Sequence, residues 1–368
     1  MKYKVPFVNY PLQYRNLEKE IDAAIKDVLN RGDLLLRSDV EEFEKNLASF
    51  VGVKYAIGVN SGTDALIFAL RSTGIGPGDE VITVSHTFVA SVASIVHLGA
   101  KPILVDVKED FLIDVDEVEK VITPKTKAIL PVHLNGRVCE MDKLMEIAKK
   151  HNLIVIEDAA QALGAKFDGK GAGSFGLAGT FSFYPAKILG AFGDAGAVAT
   201  DDEKVAEKIR LLRNHGQKPP EVVCYGFTSR LDNLQATILN VKFKYLPEWI
   251  KRRREIAKIY NEGLSEISQV KLPPAPDAEP RYFDVYQNYV LKAQKRDELF
   301  DFLKEKGVET LIKDPIAVHH QPNLGLSHFK LPYTEELAKE VISLPIYPEL
   351  TQEQIDYVMN CVREFYAP

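Results

Sequence analysis

Cysteine is scarce in this chain of 368 residues: Cys139, Cys224 and Cys361 are too few and too scattered for a disulfide framework, and no CxxC pair marks a zinc site. A reducing compartment is the expectation. Long apolar runs are missing too, none approaching the roughly 20 residues that cross a bilayer. The opening Met1-Lys-Tyr-Lys-Val-Pro-Phe7 lacks the apolar core of a secretory signal. A cytoplasmic protein without a membrane partner is therefore expected. Positive charge is not in excess, with 46 Lys and Arg against 52 Asp and Glu and a net charge of −6. That balance argues against nucleic acid bound through global charge. The strongest basic run, Lys251-Arg-Arg-Arg254, sits among Trp249, Ile250, Ile256, Ala257 and Tyr260 at near-helical spacing and reads as a solvated helix face. Internal repeats and low-complexity segments are absent as well.

What is present is 46% apolar residues, enough for a large core in a chain longer than one ordinary domain. Helical stripes run over 16–29 and 40–50. From Tyr55 the pattern changes to short apolar strands alternating with helices: strands at 55–59, 80–84, 102–106, 127–132 and 153–157, and helices at 64–72, 88–98 and 141–150. Strands apolar at nearly every position imply an α/β fold with a mostly parallel sheet covered on both faces, whose ligands collect beyond the strands' carboxyl ends. The alternation fades after Lys242. A helix over 249–264, a proline-rich stretch at 272–280, a strand over 286–291, a helix from Arg296 to Gly307 and a final helix opened by the capping-box pattern Thr351-Gln-Glu-Gln354 follow. The expected division is a large domain over 1–245 with the N-terminal helices and a small C-terminal domain over 246–368.

Four constellations carry chemistry. In Phe181-Ser-Phe-Tyr-Pro-Ala-Lys187-Ile-Leu-Gly190-Ala-Phe-Gly193-Asp-Ala-Gly196, one lysine lies between an apolar run and a glycine-rich turn. Apolar surroundings disfavour the ammonium form, which makes the amine a nucleophile for Schiff-base chemistry; a lone lysine more often lays its stem on apolar surface and keeps its head in water. Asn60-Ser-Gly-Thr-Asp64 joins a strand to a helix. It is either a phosphate-binding helix start or a plain N-cap. Glu157-Asp158-Ala-Ala-Gln161 follows a strand, where a carboxylate can keep the ring nitrogen of an aromatic heterocycle protonated or can cap a helix; alternation points Glu157 and Asp158 to opposite faces. Ser85-His-Thr-Phe88 offers an aromatic that either stacks on a planar cofactor or fills the core. Two motifs are set aside. Gly171-Ala-Gly173-Ser-Phe-Gly176 satisfies GxGxxG but precedes a strand, against the order of a dinucleotide site. His319-His320 lacks a third ligand at a telling spacing, so no metal is expected.

Taken in order, these segments resemble the DegT/DnrJ/EryC1/StrS family of pyridoxal-phosphate aminotransferases, which act on nucleotide-linked keto sugars. The resemblance spans nearly the whole chain: Phe43-Glu44, Ser61-Gly-Thr-Asp-Ala-Leu66, Thr87-Phe88, Pro131-Val-His-Leu134, Glu157-Asp-Ala-Ala-Gln161, Ser182 with Lys187, Gly193-Asp-Ala-Gly196, Arg213-Asn-His-Gly216, Ser229-Arg-Leu-Asp-Asn-Leu-Gln-Ala236 and Leu344-Pro-Ile-Tyr-Pro-Glu-Leu350. It implies fold type I (aspartate aminotransferase-like) and pyridoxal 5'-phosphate (PLP) bound through Lys187. Asp158 would partner the pyridine nitrogen, Gln161 the phenolic side, and Phe88 would stack on the ring, with Gly62, Thr63 and Ser182 on the phosphate. The implied assembly is a homodimer with shared active sites, in which the segment before Ser229-Arg230 reaches the neighbour's phosphate. That segment reads Thr228-Ser-Arg230 where the family commonly has Asn-Ser-Arg. Asn135 and Arg37 also depart from the common pattern. Candidate substrate contacts are Arg37, His133, Asn135, Tyr184, Arg230 and His320. The implied reaction moves an amino group from L-glutamate, leaving 2-oxoglutarate, to a dTDP-, UDP- or GDP-linked deoxy-keto-sugar. A keto-cyclitol acceptor, or a non-catalytic sensor of the cofactor or a nucleotide sugar, are the alternatives. Lys187 itself favours transamination over the dehydratase chemistry of relatives with histidine there.

Overall fold

A computed structural model of the protein describes residues 3–367. The chain opens with helices α1 (Tyr10–Arg31) and α2 (Ser38–Val51). The Asn9 side chain caps α1 by accepting from the Leu12 N–H, and Gly32, at φ 69°, ends it in the left-handed conformation that glycine tolerates. There follow β1 (Tyr55–Val59), α3 (Gly62–Ser72), β2 (Glu80–Val84), α4 (Ala90–His97), β3 (Lys101–Val105), α5 (Val115–Val118), β4 (Thr126–Ile129), α6 (Met141–His151) and β5 (Ile154–Asp158). Two-residue strands β6 (Lys166–Phe167) and β7 (Lys170–Gly171) lead to β8 (Ala178–Ser182), β9 (Gly196–Thr200), α7 (Glu203–Leu212), the small ribbon β10 (Gln217–Lys218) and β11 (Glu221–Val222), then α8 (Asn233–Phe243) and α9 (Leu246–Leu264). The last part holds β12 (Val270–Lys271), β13 (Tyr282–Phe283), β14 (Tyr289–Ala293), α10 (Arg296–Glu305), α11 (Pro332–Glu340), β15 (Val341–Leu344) and α12 (Gln352–Tyr366).

The main sheet has seven strands in the order β1-β9-β8-β5-β4-β2-β3. It is parallel from β8 to β3, while β9 runs antiparallel to both of its neighbours. One face packs on α2 and α8 through Val40, Phe43, Leu47, Phe181, Phe183 and Leu239, all buried. The other packs on α3 and α7 through Leu66, Phe68, Val198, Ile209 and Leu212. Each such side chain stabilises the fold by about 1.5–3 kcal/mol relative to exposure. A separate cluster joins Ile256, Tyr260 and Leu264 of α9 to Tyr289, Leu299, Ile355 and Val358, together with Val5 from the start of the chain. Helix α9 spans both clusters, since its first turns give Leu246 and Ile250 to the sheet's core.

Four expectations need correcting. The basic run at 251–254 is not a wholly solvated face, since Arg253 and Arg254 are buried and donate to the carbonyls of Tyr286, Gln287, Ile346 and Asp284. The helix expected from 88 begins at Ala90, which leaves Phe88 on the preceding loop. The strand expected at 286–291 begins at Tyr289, because Tyr286 takes a left-handed φ of 49° and the Gln287 and Asn288 side chains bond toward the centre of the molecule. Helices α7 and α8 and the antiparallel β9 were not anticipated. In α8 there is almost no polar face to give a period, because even Lys242 is buried.

Candidate active site

The carboxyl ends of β5 and β8 and the start of α3 converge on a cavity of about 630 Å³. Lys187 reaches it from the turn after β8, held by its own N–H donating to the Tyr184 carbonyl at 2.8 Å. Desolvation pushes its pKa below the ordinary lysine range, with Asp158 opposing. The Gly190 carbonyl on the same turn accepts from Lys242 Nζ at 2.7 Å, and Gln287 clamps the turn by accepting from the Ile188 N–H (2.8 Å) and donating to the Ala186 carbonyl (2.8 Å). Asp158 ends β5, 6% exposed. Its Oδ2 accepts from Ser91 Oγ at 2.7 Å and its Oδ1 from the Ala160 N–H at 3.2 Å. These bonds fix the carboxylate against the cavity that it lines.

At the opposite wall, Ser61 caps α3 by accepting from the Asp64 N–H at 3.1 Å, so Gly62 and Thr63 present the helix's first turn to the cavity beside Ser182. The approach is close. A Cβ on Gly62 would lie 2.8 Å from Ser182 Cβ, and one on Gly196 would lie 2.3 Å from the Ser61 backbone. Phe88 lines the cavity and is 61% exposed, which removes the core-filling alternative for this ring. Gln161 Oε1 accepts from the Asn135 N–H (2.9 Å) and Asn288 Nδ2 (3.1 Å), which leaves its amide N–H groups to donate. Tyr184 lines the same cavity.

The other candidates lie elsewhere. His133 is a correction: it is fully buried, with Nε2 on Glu157 at 2.9 Å and Nδ1 accepting from the Cys139 N–H at 3.1 Å, so neither ring nitrogen is left for a substrate. Asn135 meets the cavity only through Gln161 and Asn288. Thr228 Oγ1 bonds His215 at 2.9 Å and Arg230 bonds Asn214 at 2.9 Å, both outside this chain's cavity. Arg37 lies at the start of α2 near Asp33, and His320 is exposed beside Glu335. Glu335 brings to His319 and His320 the third potential metal ligand that the sequence spacing did not show, and His319 Nδ1 is bonded to Ser85 Oγ at 2.7 Å. The glycine-rich loop after β7 also has a use: the N–H groups of Gly173, Phe175 and Gly176 donate to the buried Glu157 carboxylate at 2.7–2.8 Å. The group this loop holds thus belongs to the chain itself. Ser91, Gln287, Lys313 and Asp314 complete the surroundings and had no sequence signal, being single polar residues in segments without a motif.

The model of the DegT/DnrJ/EryC1/StrS aminotransferase family matches residues 15–363. The chain belongs to this family. It is 43% identical over 368 residues to the dTDP-3-amino-3,4,6-trideoxy-alpha-D-glucose transaminase of Streptomyces venezuelae, covering 98% of this chain and 96% of the relative. It is 44% identical over 367 residues to the pleiotropic regulatory protein of Geobacillus stearothermophilus, covering 98% of each. The crystal structure of Streptomyces venezuelae DesV in complex with a ketimine intermediate superposes over 100% of both chains, with a TM-score of 0.95 and 41% identity. The family member is thus an aminotransferase of fold type I, and its cofactor is PLP.

The cavity fits that cofactor on its own chemistry. A desolvated lysine, an aimed carboxylate, an uncovered phenyl ring and a helix start too tight for a side chain at Gly62 are the groups that a phosphorylated pyridine aldehyde requires.

Proposed function

We propose that the protein transfers an amino group from an amino acid, L-glutamate, to the keto group of a nucleotide-linked deoxy-sugar. The observation that carries this reading is the placing of Lys187 and Asp158 in one cavity opposite the start of α3. In this reading Gly62, Thr63 and Ser182 hold the cofactor's phosphate, Phe88 covers one ring face, Gln161 meets the ring's phenolic side and Asp158 its nitrogen. When bound, PLP supplies an electron sink for the charge left when a proton departs the donor's α-carbon.

The protein's own work is then positional and acid–base. Lys187 would hold the cofactor through its aldehyde carbon and, when free, would carry a proton to and from the donor's α-carbon, a role its depressed pKa suits because a base must be neutral. Over both halves, the donor's amino nitrogen ends on the sugar carbon. The sugar's carbonyl oxygen leaves as water and another water supplies the keto oxygen of the 2-oxo acid. The Streptomyces relative's name places its amino group at C-3 of a dTDP-hexose, which supports a dTDP-linked 3-keto sugar as acceptor.

Thr228 and Arg230 are assigned to the neighbouring subunit's cavity in a homodimer, a reading supported by the exposed Val222, Tyr225 and Phe227 just before them. The division into a large unit through 245 and a small one after it belongs to the same proposal, supported by the separate C-terminal core. So does a cytoplasmic setting, supported by three free cysteines. Among the described residues no helix is long and apolar enough to cross a membrane.

The test is to incubate the PLP-loaded protein with L-glutamate and a panel of nucleotide keto sugars and keto-cyclitols while following 2-oxoglutarate. Continuous 2-oxoglutarate formation with a dTDP-linked 3-keto sugar supports the proposal. Turnover only with cyclitols moves the acceptor class. The regulatory name of the Geobacillus relative keeps a sensor in view, and a sensor would release no 2-oxoglutarate at all.

A further inference from the structure

Among the described residues two lysines line the cavity, and the transaminase reading employs only Lys187. The second, Lys313, follows Leu311, whose N–H and carbonyl pair with Ser343 of β15 at 3.2 and 2.8 Å, so the loop that carries it is tied to a sheet. Lys313 Nζ donates to Asn288 Oδ1 at 3.0 Å. Asn288 is itself 3% exposed and is fixed through its Nδ2 to Gln161 and Asn135. An ammonium has three N–H groups to place, and this partner is a neutral amide. Burial and the nearby Lys187 push the Lys313 pKa down to about 8, with Asp314 opposing. A cation in this setting is under-compensated until an anion arrives.

The reaction supplies one. The donor's α-carbon must come to the position that Lys187 serves, and its α-carboxylate is one bond from that carbon. A neutral keto sugar has no charge at its reacting carbon, and the phosphates of a nucleotide sugar are remote from it. Without a counter-cation, the cavity's carboxylates Asp158, Asp194 and Asp314 would repel the incoming carboxylate. Lys187 is engaged in the chemistry and Arg230 is the neighbouring subunit's contribution in the proposed dimer, so among the described residues the remaining cation that this chain itself places in the lining is Lys313.

We propose that Lys313 binds the α-carboxylate of the amino donor and so selects amino acids as the first substrate. This rests on the transaminase reading, and its test separates the two. Lys313→Met and Lys313→Arg are compared with the parent as PLP-loaded proteins. The first half-reaction with L-glutamate is followed by cofactor absorbance. Binding of glutarate, which has glutamate's carboxylates and no amino group to react, is followed by calorimetry.

Lys313→Met is expected to weaken both by about 30-fold or more, the effect of removing one partner of a desolvated charge pair. Lys313→Arg should recover part of the loss. The second half-reaction, run from the pyridoxamine form with a neutral dTDP-linked keto sugar, should fall by a much smaller factor and shows that the variant is folded and loaded. Equal losses in both halves overturn the proposal, as do unchanged glutamate and glutarate binding, or a loss seen only with keto sugars that carry a carboxylate. If the parent protein makes no 2-oxoglutarate, the transaminase reading falls, while glutarate still decides whether Lys313 holds a carboxylate.

Discussion

At the scale of single residues, the environment of a side chain decides its chemistry more than its type does. Lys187, Lys242 and Lys313 all have pKa values pushed down by burial. Only Lys187 and Lys313 face the cavity; Lys242 spends its donors on Gln13 and the Gly190 carbonyl. Asp158→Asn keeps the shape and the Ser91 bond but removes the charge that, in the proposed function, holds the cofactor's ring nitrogen protonated. It should keep bound cofactor, read by absorbance after dialysis, and lose at least about 100-fold in turnover; an unaltered rate would remove Asp158 from the ring nitrogen. His86 offers a pH prediction. Desolvation beside Phe111 lowers its pKa from 6.5 to about 4, with Asp106 opposing. As pH falls below 6.5 the unfolded chain takes up a proton that the folded chain refuses until about 4, so stability present above 6.5 is lost across that window. The loss is about 3 kcal/mol. A plot of Tm against pH for His86→Asn should be flatter than the parent's between those limits, and parallel plots would contradict the assignment. Lys187 and Asp158 were legible in sequence because an apolar run and a strand end set them apart. His133 misled because it stands in the same strand-end segment as the site, while its ring turns into the core toward Glu157.

At the scale of elements, the site depends on the tight crossing of the α3 start with β8. Gly62→Ala places a methyl group 2.8 Å from Ser182 Cβ. The backbone or Ser182 must move, at a cost of about 1–3 kcal/mol, and the cofactor's dissociation constant should rise about 10-fold, measured by fluorescence titration. An unchanged constant would mean the phosphate is held elsewhere. Strands buried along nearly their whole length were readable as continuous apolar runs, which is why β1 and β2 fall where expected. Strand β9, Gly196-Ala-Val-Ala-Thr200, was not, because small residues that let the strand lie against Ser61 leave little apolar signal. Helix α8 hid for the opposite reason: packed against both α1 and α2, it has no solvent stripe to set a period.

At the scale of the whole molecule, the cavity draws on both cores, since Lys187 comes from the sheet unit and Lys313 from the loop tied to β15. The sequence pattern did not show this meeting, because Asn288, Gln161 and Lys313 are joined only by tertiary contacts. Apolar side chains at Val222 (66% exposed) and Tyr225 (93% exposed) leave the single chain with an uncovered face beside Thr228. Val222→Asp with Tyr225→Asp should shift sedimentation from dimer to monomer and lower turnover together; a monomeric parent, or a dimer that resists both changes, would contradict shared sites. The account's central claim is that Lys187 carries the cofactor, and it is tested most directly by reducing the PLP-loaded protein with borohydride and mapping the cofactor's added mass by peptide mass spectrometry. The account predicts that mass on the peptide holding Lys187. Its appearance on Lys313 or Lys242, or on no lysine, would contradict it.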